Sequence, residues 1–310
     1  MKRYLVYPFD FDSRALDLSV DTSSYAEPEL QMHNERVAHL KQRIKQEFGE
    51  PNFDRKVKDF ADLGARPFSI VAHHNSLYHS ACNAFVHGLY YPALTAACAL
   101  GERMLNHLII DLRNEFANTP EYEAARKGSF ANWKEARKIL TAWNVFQTDE
   151  VDGKFRELSS LRHRSLHFNA SAMMTVREDA LKALHLLADI IRDQFGFART
   201  QRWQIAGTAG AFFIKKDAET DPFVRRYYLP QSPHVGPLYA IRFAQGGILF
   251  FDYDYTGAAE VSDEEFARLH TTRDPQKVAP GEWPASDEIV VQAWTHGNPV
   301  TVIKPAIGIA

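Results

Sequence analysis

Apolar residues recur every three or four positions from Pro67 to about Phe197, which is the spacing that buries one face of a helix. The pattern predicts five helices, over roughly 68–88, 92–116, 129–144, 153–167 and 176–195. The connections between them are short, and short connections favour antiparallel neighbours. We therefore expect a helical bundle over residues 67–197.

Beyond Phe197 the pattern changes to short runs rich in β-branched and aromatic residues, separated by turns that contain glycine. One helix is predicted near 262–270, because Ser262 and Glu265 have the spacing of a capping box at its start. Three hairpins are predicted, joining 202–206 to 211–215, 238–243 to 248–253, and 288–294 to 300–303. This pattern indicates an antiparallel β-rich domain over residues 198–310.

The first 66 residues match neither pattern. A short strand is predicted over 3–9, followed by charged helices over 33–48 and 53–63. The sequence therefore predicts an α+β protein in three parts: a strand with charged helices at 1–66, a bundle at 67–197 and a β domain at 198–310.

The composition is that of a globular protein, with 310 residues of which 45 % are hydrophobic and 24 % charged. The net charge of −3 leaves no global basic field, so a site for a polyanion has to be a local basic patch. This balance counts against a protein that binds nucleic acid tightly and without specificity.

The cysteines, Cys82 and Cys98, lie in apolar helical segments and have no ligand spacing, so we interpret them as reduced core residues. The amino-terminal apolar run is too short for a signal peptide, and no run reaches the roughly 18 apolar residues of a membrane span. We expect a cytoplasmic protein with no membrane partner.

Common cofactor and metal motifs are missing from the sequence. His74 and His79 do not have the i,i+4 spacing of a helical metal pair, and there is no HExxH motif. The phosphate-binding loop, the GxSxG elbow and the dinucleotide fingerprint GxGxxG are missing as well. We expect no metal ion and no cofactor.

The most informative motif is the six-residue run from Arg162 to His167. It places a fixed cation five positions before a side chain that exchanges protons near neutral pH, which suits phosphodiester chemistry without a metal. The spacing alone is weak, because a chain with 13 histidines supplies such a pair about once by chance.

The motif also constrains the end of its helix. Positions five apart are about 140° apart around a straight helix, so Arg162 and His167 share a face only if the helix ends or bends. Asn169 and Ser171 have poor helix preference, so we expect the helix to end near 167–171.

A second segment lies upstream. Residues 83–105 resemble the first helical pair of HEPN domains, in which a small-residue helix ends at glycine and an aromatic, and an alanine-rich helix then leads to a glutamate. The matching residues are Gly88, Tyr90, Ala93, Ala96, Ala97 and Glu102. About sixty residues later, Arg162-x4-His167 with a polar residue after the arginine resembles that family's active-site pattern. The resemblance covers roughly 67–195.

This resemblance implies a bundle that dimerises face to face and joins two copies of the motif into one composite site for metal-independent RNA cleavage. Several HEPN proteins act in toxin–antitoxin and anti-phage systems, whereas others have lost catalysis and serve as scaffolds or nucleotide binders. The implied partners are therefore RNA, a second copy of the chain, and an antitoxin or a phage-derived trigger.

The residue chemistry fits this expectation. A histidine with an ordinary pKa of about 6.5 can act as base or acid, so His167 is the candidate proton carrier, and Arg162 offers a planar fork to the phosphate oxygens. Glu102 is a candidate to orient either residue, and His163 and Arg164 are candidate phosphate contacts. The alternative is a solvated helix end in which these side chains form local ion pairs, for example with Glu157.

Weaker RNA-binding candidates are His73 and His74, together with Arg225 and Arg226 in a loop-like stretch between Pro222 and Pro230. The aromatic residues of the β domain are typical of base-stacking platforms and of ordinary cores, and we favour the core. Asp252 and Asp254 alternate on a strand, which fits a solvated edge better than a cation site.

The leading hypothesis is a cytoplasmic, homodimeric, metal-independent endoribonuclease that acts as a toxin or anti-phage effector. The alternative is a noncatalytic HEPN-type interaction or nucleotide-sensing module. A third reading places the function in the β domain and leaves the bundle as a dimerisation device.

Overall fold

The structure is a computed structural model that describes residues 1–7, 12–126, 130, 132–166, 174–197, 201–208, 210–244, 247–252, 255, 257–274 and 291–292. The described residues form two compact units. We call the residues within 10–69 and 73–196 the helical unit, and those within 1–9, 70–72 and 197–310 the β unit. Together they give an α+β protein.

The helical unit contains nine α-helices among the described residues. They are α1 (Arg14–Asp17), α2 (Glu27–Phe48), α3 (Phe53–Leu63), α4 (Ala72–Val86), α5 (Tyr90–Leu112), α6 (Tyr122–Ala125), α7 (Trp133–Ala142), α8 (Asp149–Leu166) and α9 (Val176–Ile190). A 3-10 turn, Arg113–Phe116, follows α5, and a π-helical turn, Ile191–Phe195, follows α9. The five helices predicted over 68–195 all appear, with ends shifted by a few residues.

Helix α5 lies at the centre of this unit and packs against α7, α8 and α9. Its buried residues cover more than one face, as expected for a helix with neighbours on several sides. They include Ala93, Ala97, Leu100, Met104, Leu105 and Leu108. Small residues alternate with large ones, which lets the neighbouring helices approach closely.

Gly101 lies at a close approach of α5 to α7 and α8. A β-carbon added there would lie 2.6 Å from Leu158 Cδ2 and 2.9 Å from Trp133 Cη2, so a larger residue fits only if these side chains or their helices move. Glu102 follows Gly101 on α5, and Arg162 lies one turn after Leu158 on α8. The tight crossing therefore brings these two charged side chains together.

A buried carboxylate connects α3, α5 and α9. Asp59 is fully buried and pairs with Arg55 at 2.8 Å and with Arg177 at 2.7 Å. The Tyr90 hydroxyl donates to the same carboxylate at 2.9 Å. Gly88, with a φ of +82°, lies under the Arg55 guanidinium, where a β-carbon would be 2.5 Å from Nη1. Two residues of the HEPN-like segment, Gly88 and Tyr90, thus have structural roles.

The β unit contains short strands and two helices among its described residues. They are β1 (Arg3–Val6), β2 (Phe212–Phe213), α10 (Pro222–Tyr227), β3 (His234–Val235), β4 (Ala240–Ala244), β5 (Gly247–Phe251), α11 (Asp263–Thr272) and β6 (Val291–Gln292). Two three-stranded antiparallel sheets have the orders β2-β1-β3 and β4-β5-β6.

The predicted hairpins are found where the structure describes them. Gln204 pairs with Ile214 in the first, and Ala240 pairs with Phe251 in the second. Of the third, only β6 is described, paired with β5, and the run 300–303 lies outside the described residues. Helix α11 begins as predicted, because the Ser262 side chain accepts a hydrogen bond from the Glu265 amide at 3.2 Å.

The three-part division predicted from the sequence is wrong at the amino terminus. Strand β1 is the central strand of the first sheet, with Leu5 opposite Phe213 and Arg3 opposite Val235, so it belongs to the β unit. Helices α2 and α3 belong to the helical unit. Pairing over such sequence separation leaves no local signal, which explains the error.

Within the described part of the chain, no helix combines the length and the apolar character that crossing a membrane requires.

Candidate functional site

Glu102 and Arg162 form an ion pair between α5 and α8. Arg162 Nη2 lies 2.9 Å from Glu102 Oε2, and the two side chains are 32 % and 29 % exposed. Arg162 is one turn before Leu166, the last residue of α8 that the structure describes. Of the two residues that Glu102 is a candidate to orient, the structure places Arg162 in contact with it, and the orienting role stays a prediction.

Trp133 completes this arrangement from α7. Its indole N–H donates to Glu102 Oε2 at 3.1 Å, and its ring lies 5.9 Å from the Arg162 guanidinium carbon. Asn132 caps α7 by accepting hydrogen bonds from Lys134 and Glu135, which fixes Trp133 as the first residue of the helix. We call Glu102, Trp133 and Arg162 the arginine site.

Asn106 supports the arginine site from one turn further along α5. Its side-chain amide donates to the Glu102 carbonyl at 2.9 Å and its oxygen accepts from the Phe130 amide at 2.7 Å. The segment leading into α7 is thereby held against α5. The sequence predicts helices that contain Trp133 and Asn106 but does not show their roles, because both roles depend on which helices are neighbours.

The arginine site contains a guanidinium, which is a group that binds phosphate and carboxylate anions. A guanidinium held on one edge by a carboxylate and on one face by an indole has few rotamers left, so it loses little entropy when it binds phosphate. One third of the Arg162 side chain remains accessible to solvent. The arrangement matches what the transition state of phosphodiester cleavage requires from a positively charged group.

The other residues of the motif are arranged differently. Arg164 pairs with Asp179 and so ties α8 to α9, and His163 is exposed. His167 lies outside the described residues, as do Asn169 and Ser171. The catalytic role of His167 and the end of the helix near 167–171 therefore stay predictions.

A second group of side chains, which we call the histidine cluster, consists of His73, His74 and His107. One coordinating nitrogen from each lies within 4.8 Å of the other two. The His73 ring centroid is 4.7 Å from that of His74 and 5.1 Å from that of His107. The structure thus brings a pair on α4 together with a residue more than thirty positions later, on α5.

His74 is the buried member of the cluster, with 1 % of its surface exposed. That burial argues against the predicted contact of His74 with RNA, whereas His73 is exposed. His74 Nδ1 lies 3.1 Å from Ser69 Oγ. Its Nε2 is buried and has no hydrogen-bond partner among the described residues.

The surroundings favour neutral imidazoles. Burial lowers the pKa of His74 well below its ordinary value, with smaller contributions from His73, His107 and the Arg103 guanidinium. Burial also lowers the pKa of His73 and of His107. The Asp111 carboxylate acts on the pKa of these two residues in the opposite direction. Neutral imidazole is the form that binds metals.

No motif in the sequence predicted the histidine cluster. The expectation of no metal rested on spacing along single helices, and His107 comes from a different helix than His73 and His74. The contact of His107 with His73 and His74 becomes visible only from the packing of α4 against α5.

A pocket lined by residues of α1, α2, α3 and α4 lies in the helical unit. Cys82 lines it, but burial raises the pKa of that thiol to about 12, so the residue is not activated as a nucleophile. This agrees with the interpretation of Cys82 as a structural thiol.

The candidate residues of the β unit have structural explanations. Asp252 accepts a hydrogen bond from the Gly236 amide at 2.6 Å and lies 3.6 Å from Lys2 Nζ, whereas Asp254 lies outside the described residues. Many of the aromatic residues are buried, including Trp203, Phe213, Phe223 and Tyr228, as expected for a core.

Arg225 and Arg226 are exposed, but the expectation of a loop between Pro222 and Pro230 is wrong. They lie on helix α10, which begins where Asp221 accepts hydrogen bonds from the Phe223 and Val224 amides. Proline at the first helical position, after an aspartate cap, was the signal in the sequence.

Comparisons of this chain with models of known protein families, with curated proteins and with solved structures found no match.

Proposed function

We propose that this protein is a metal-independent endoribonuclease of HEPN type, in which Arg162 stabilises the phosphate and His167 transfers protons. The observation that carries the proposal is the arginine site. Glu102 and Trp133 hold Arg162 at 2.9 Å and 5.9 Å while leaving it partly exposed, at the end of the helix that leads to His167.

The reaction follows from this assignment. A base removes the proton of the ribose 2′-OH, the oxygen attacks the neighbouring phosphorus, and an acid protonates the departing 5′-oxygen. The products are a 2′,3′-cyclic phosphate and a 5′-hydroxyl, and no metal takes part. DNA is not cleaved, because it lacks the attacking hydroxyl.

One chain supplies one His167, so a base and an acid require two chains. A homodimer that places two copies of the motif side by side provides both groups. As in toxin and anti-phage effectors, such an activity needs control, and we propose an antitoxin or a phage-derived trigger as the regulating partner.

Cleavage of a labelled RNA tests the proposal, with and without EDTA and with a deoxy-substituted strand as the resistant substrate. Wild-type protein is expected to release 2′,3′-cyclic phosphate ends in both conditions. His167→Ala and Arg162→Ala are each expected to lower the rate by roughly 100-fold or more. Arg156→Ala, which removes an exposed arginine of the same helix, is the matched control and keeps the wild-type rate.

The second candidate is a noncatalytic interaction module. One observation favours it: the Glu102–Arg162 pair also links α5 to α8, so Arg162 has a structural use without catalysis. The same assay separates the two functions. RNA that stays intact with wild-type protein and all variants, in a protein that is folded and dimeric, supports the module and contradicts the enzyme.

A further inference from the structure

We propose that His73, His74 and His107 form a binding site for one zinc ion, coordinated by three imidazole nitrogens. The site goes beyond the proposed ribonuclease, whose chemistry uses no metal. It joins the first turn of α4 to the carboxyl-terminal part of α5.

The spacing of the nitrogens fits a metal after a small adjustment. They lie within 4.8 Å of one another. Zinc–nitrogen bonds of 2.0–2.1 Å place the nitrogens of a tetrahedral site about 3.4 Å apart. His73 is exposed and His107 is half-buried, so their side chains have room to rotate inward. His74 is held in place and provides the fixed ligand.

The orphaned nitrogen of His74 is the strongest observation. A buried polar atom without a partner costs free energy, and native structures rarely retain one without a reason. If Nδ1–H donates to Ser69 Oγ, 3.1 Å away, Nε2 keeps a buried lone pair that has no hydrogen-bond partner among the described residues. A metal ion supplies the missing partner.

The residues behind His74 form the outer support that metal-binding histidines usually have. The Ser69 amide donates to Asn75 Oδ1 at 2.8 Å, and Asn75 Nδ2 donates back to the Ser69 carbonyl at 2.8 Å. Phe195 packs edge-on against the His74 ring, with centroids 4.6 Å apart. Ser69, Asn75 and His74 are all buried, so the orientation of the imidazole is fixed before any metal arrives.

Two charged residues of α5 lie one turn to either side of His107. Arg103 opposes a cation and Asp111 favours one, and both act on the cluster electrostatically. Their effects on the pKa of His73 and of His107 oppose each other. A tetrahedral zinc keeps its fourth position for water or for an anion that Arg103 attracts.

The donor set selects the metal. Imidazole nitrogens suit zinc and neighbouring transition metals, whereas magnesium and calcium prefer oxygen ligands. We therefore expect binding of zinc and of cobalt as its spectroscopic substitute, and no measurable competition from millimolar magnesium.

The test uses the full-length, tag-free protein after removal of metals with EDTA. Zinc is titrated in competition with a chromophoric chelator, and cobalt is titrated by visible absorbance. Wild-type protein is expected to bind one equivalent of zinc and to give the intense absorption of four-coordinate cobalt. His107→Gln and His73→Gln are each expected to lower the zinc affinity by roughly 100-fold or more.

Two further variants test whether zinc binding depends on the support behind His74 and whether it is specific to the histidine cluster. Ser69→Ala is expected to weaken binding roughly tenfold while keeping the cobalt spectrum, as a positioning residue should. His39→Gln, an exposed histidine on α2, is the control and keeps wild-type affinity. The site is contradicted if wild-type protein binds no zinc at micromolar concentrations, or if His73→Gln, which is exposed and folds, binds as tightly as His39→Gln. Neither readout depends on RNA cleavage.

Discussion

Glu102 Oε2 lies 2.9 Å from Arg162 Nη2 and also accepts the indole N–H of Trp133 at 3.1 Å, so one carboxylate oxygen joins α5, α7 and α8. Its negative charge holds the guanidinium in the orientation that the proposed chemistry uses. The partial exposure of both charged side chains makes the pair a weak contributor to stability, typically below about 1 kcal/mol. Its main effect should therefore be on activity.

Glu102→Gln keeps an oxygen for Trp133 but removes the charge that orients Arg162. We expect kcat for RNA cleavage to fall by roughly 100-fold with little change in KM, because the guanidinium is misplaced in the transition state. Steady-state kinetics on a fluorogenic RNA measure the split. Glu157→Gln, which removes an exposed carboxylate of α8 that pairs with Lys182, is the control. Equal kcat values in the two variants would contradict a positioning role for Glu102.

Gly101→Ala is expected to destabilise the protein by about 1–3 kcal/mol, because its β-carbon overlaps Leu158 and Trp133. Gly153→Ala on α8 is the matched change, since a β-carbon there meets nothing within 4 Å. It should stabilise the protein by up to about 1 kcal/mol through helix propensity. Chemical denaturation measures both, and the same sign for the two variants would overturn the packing argument.

Asp59→Asn is expected to cost about 3 kcal/mol, because it removes the buried partner of Arg55 and Arg177. Asp54→Asn, on the exposed side of the same helix, should change the free energy of unfolding by less than about 0.5 kcal/mol. Denaturation midpoints of the two variants give the comparison. A loss at Asp59 no larger than that at Asp54 would show that the buried carboxylate contributes little.

His270 should make the stability of the β unit depend on pH. Burial lowers its pKa to about 4, with help from Arg273, while the unfolded chain has a value near 6.5. The unfolded state binds more protons between these values, so stability is complete above pH 6.5 and falls as the pH decreases toward 4. The contribution is at most about 3 kcal/mol.

Hydrogen exchange of the α11 amides between pH 4.5 and 7.5, corrected for intrinsic rates, monitors this effect in the β unit. His270→Gln has no proton to gain, so its stability should vary less with pH than that of the wild type. An unchanged slope would assign the dependence to other groups.

Zinc at about 100 times its dissociation constant should stabilise the folded protein by about 2.7 kcal/mol, provided the unfolded chain does not bind it. For the helical unit, which spans residues within 10–69 and 73–196, the thermal midpoint should rise by about 5–10 °C. Differential scanning calorimetry with zinc, and with equal magnesium as the control, measures the shift. A zinc-induced shift that survives in His73→Gln would place the metal elsewhere.

The sequence predicted the helices well because apolar residues on the buried faces of a helix recur every three or four positions. The second hairpin was equally accessible, since Ala240 and Phe251 are close in sequence and their turn contains glycine. Arg162 and Glu102 were identified from the resemblance to HEPN domains, and the structure places them in contact.

The features that the sequence did not predict depend on contacts between segments that are distant along the chain. Trp133 joins the arginine site, and His107 joins His73 and His74, only because of how α4, α5, α7 and α8 pack. Periodicity shows which face of a helix is buried but not which helix covers it. The prediction of a loop between Pro222 and Pro230 was wrong for a different reason. An aspartate followed by proline is typical of a helix start, but the prolines at both ends of this segment favoured a loop.

The central position of β1 has a consequence for how the protein is made. Leu5 pairs with Phe213 and Arg3 with Val235, so β1 leaves the ribosome more than 200 residues before the two strands that flank it. Until then both of its edges are open to strands of other chains. A fragment that starts after β1 leaves β2 and β3 without the strand between them, so the carboxyl-terminal residues alone do not contain the whole first sheet.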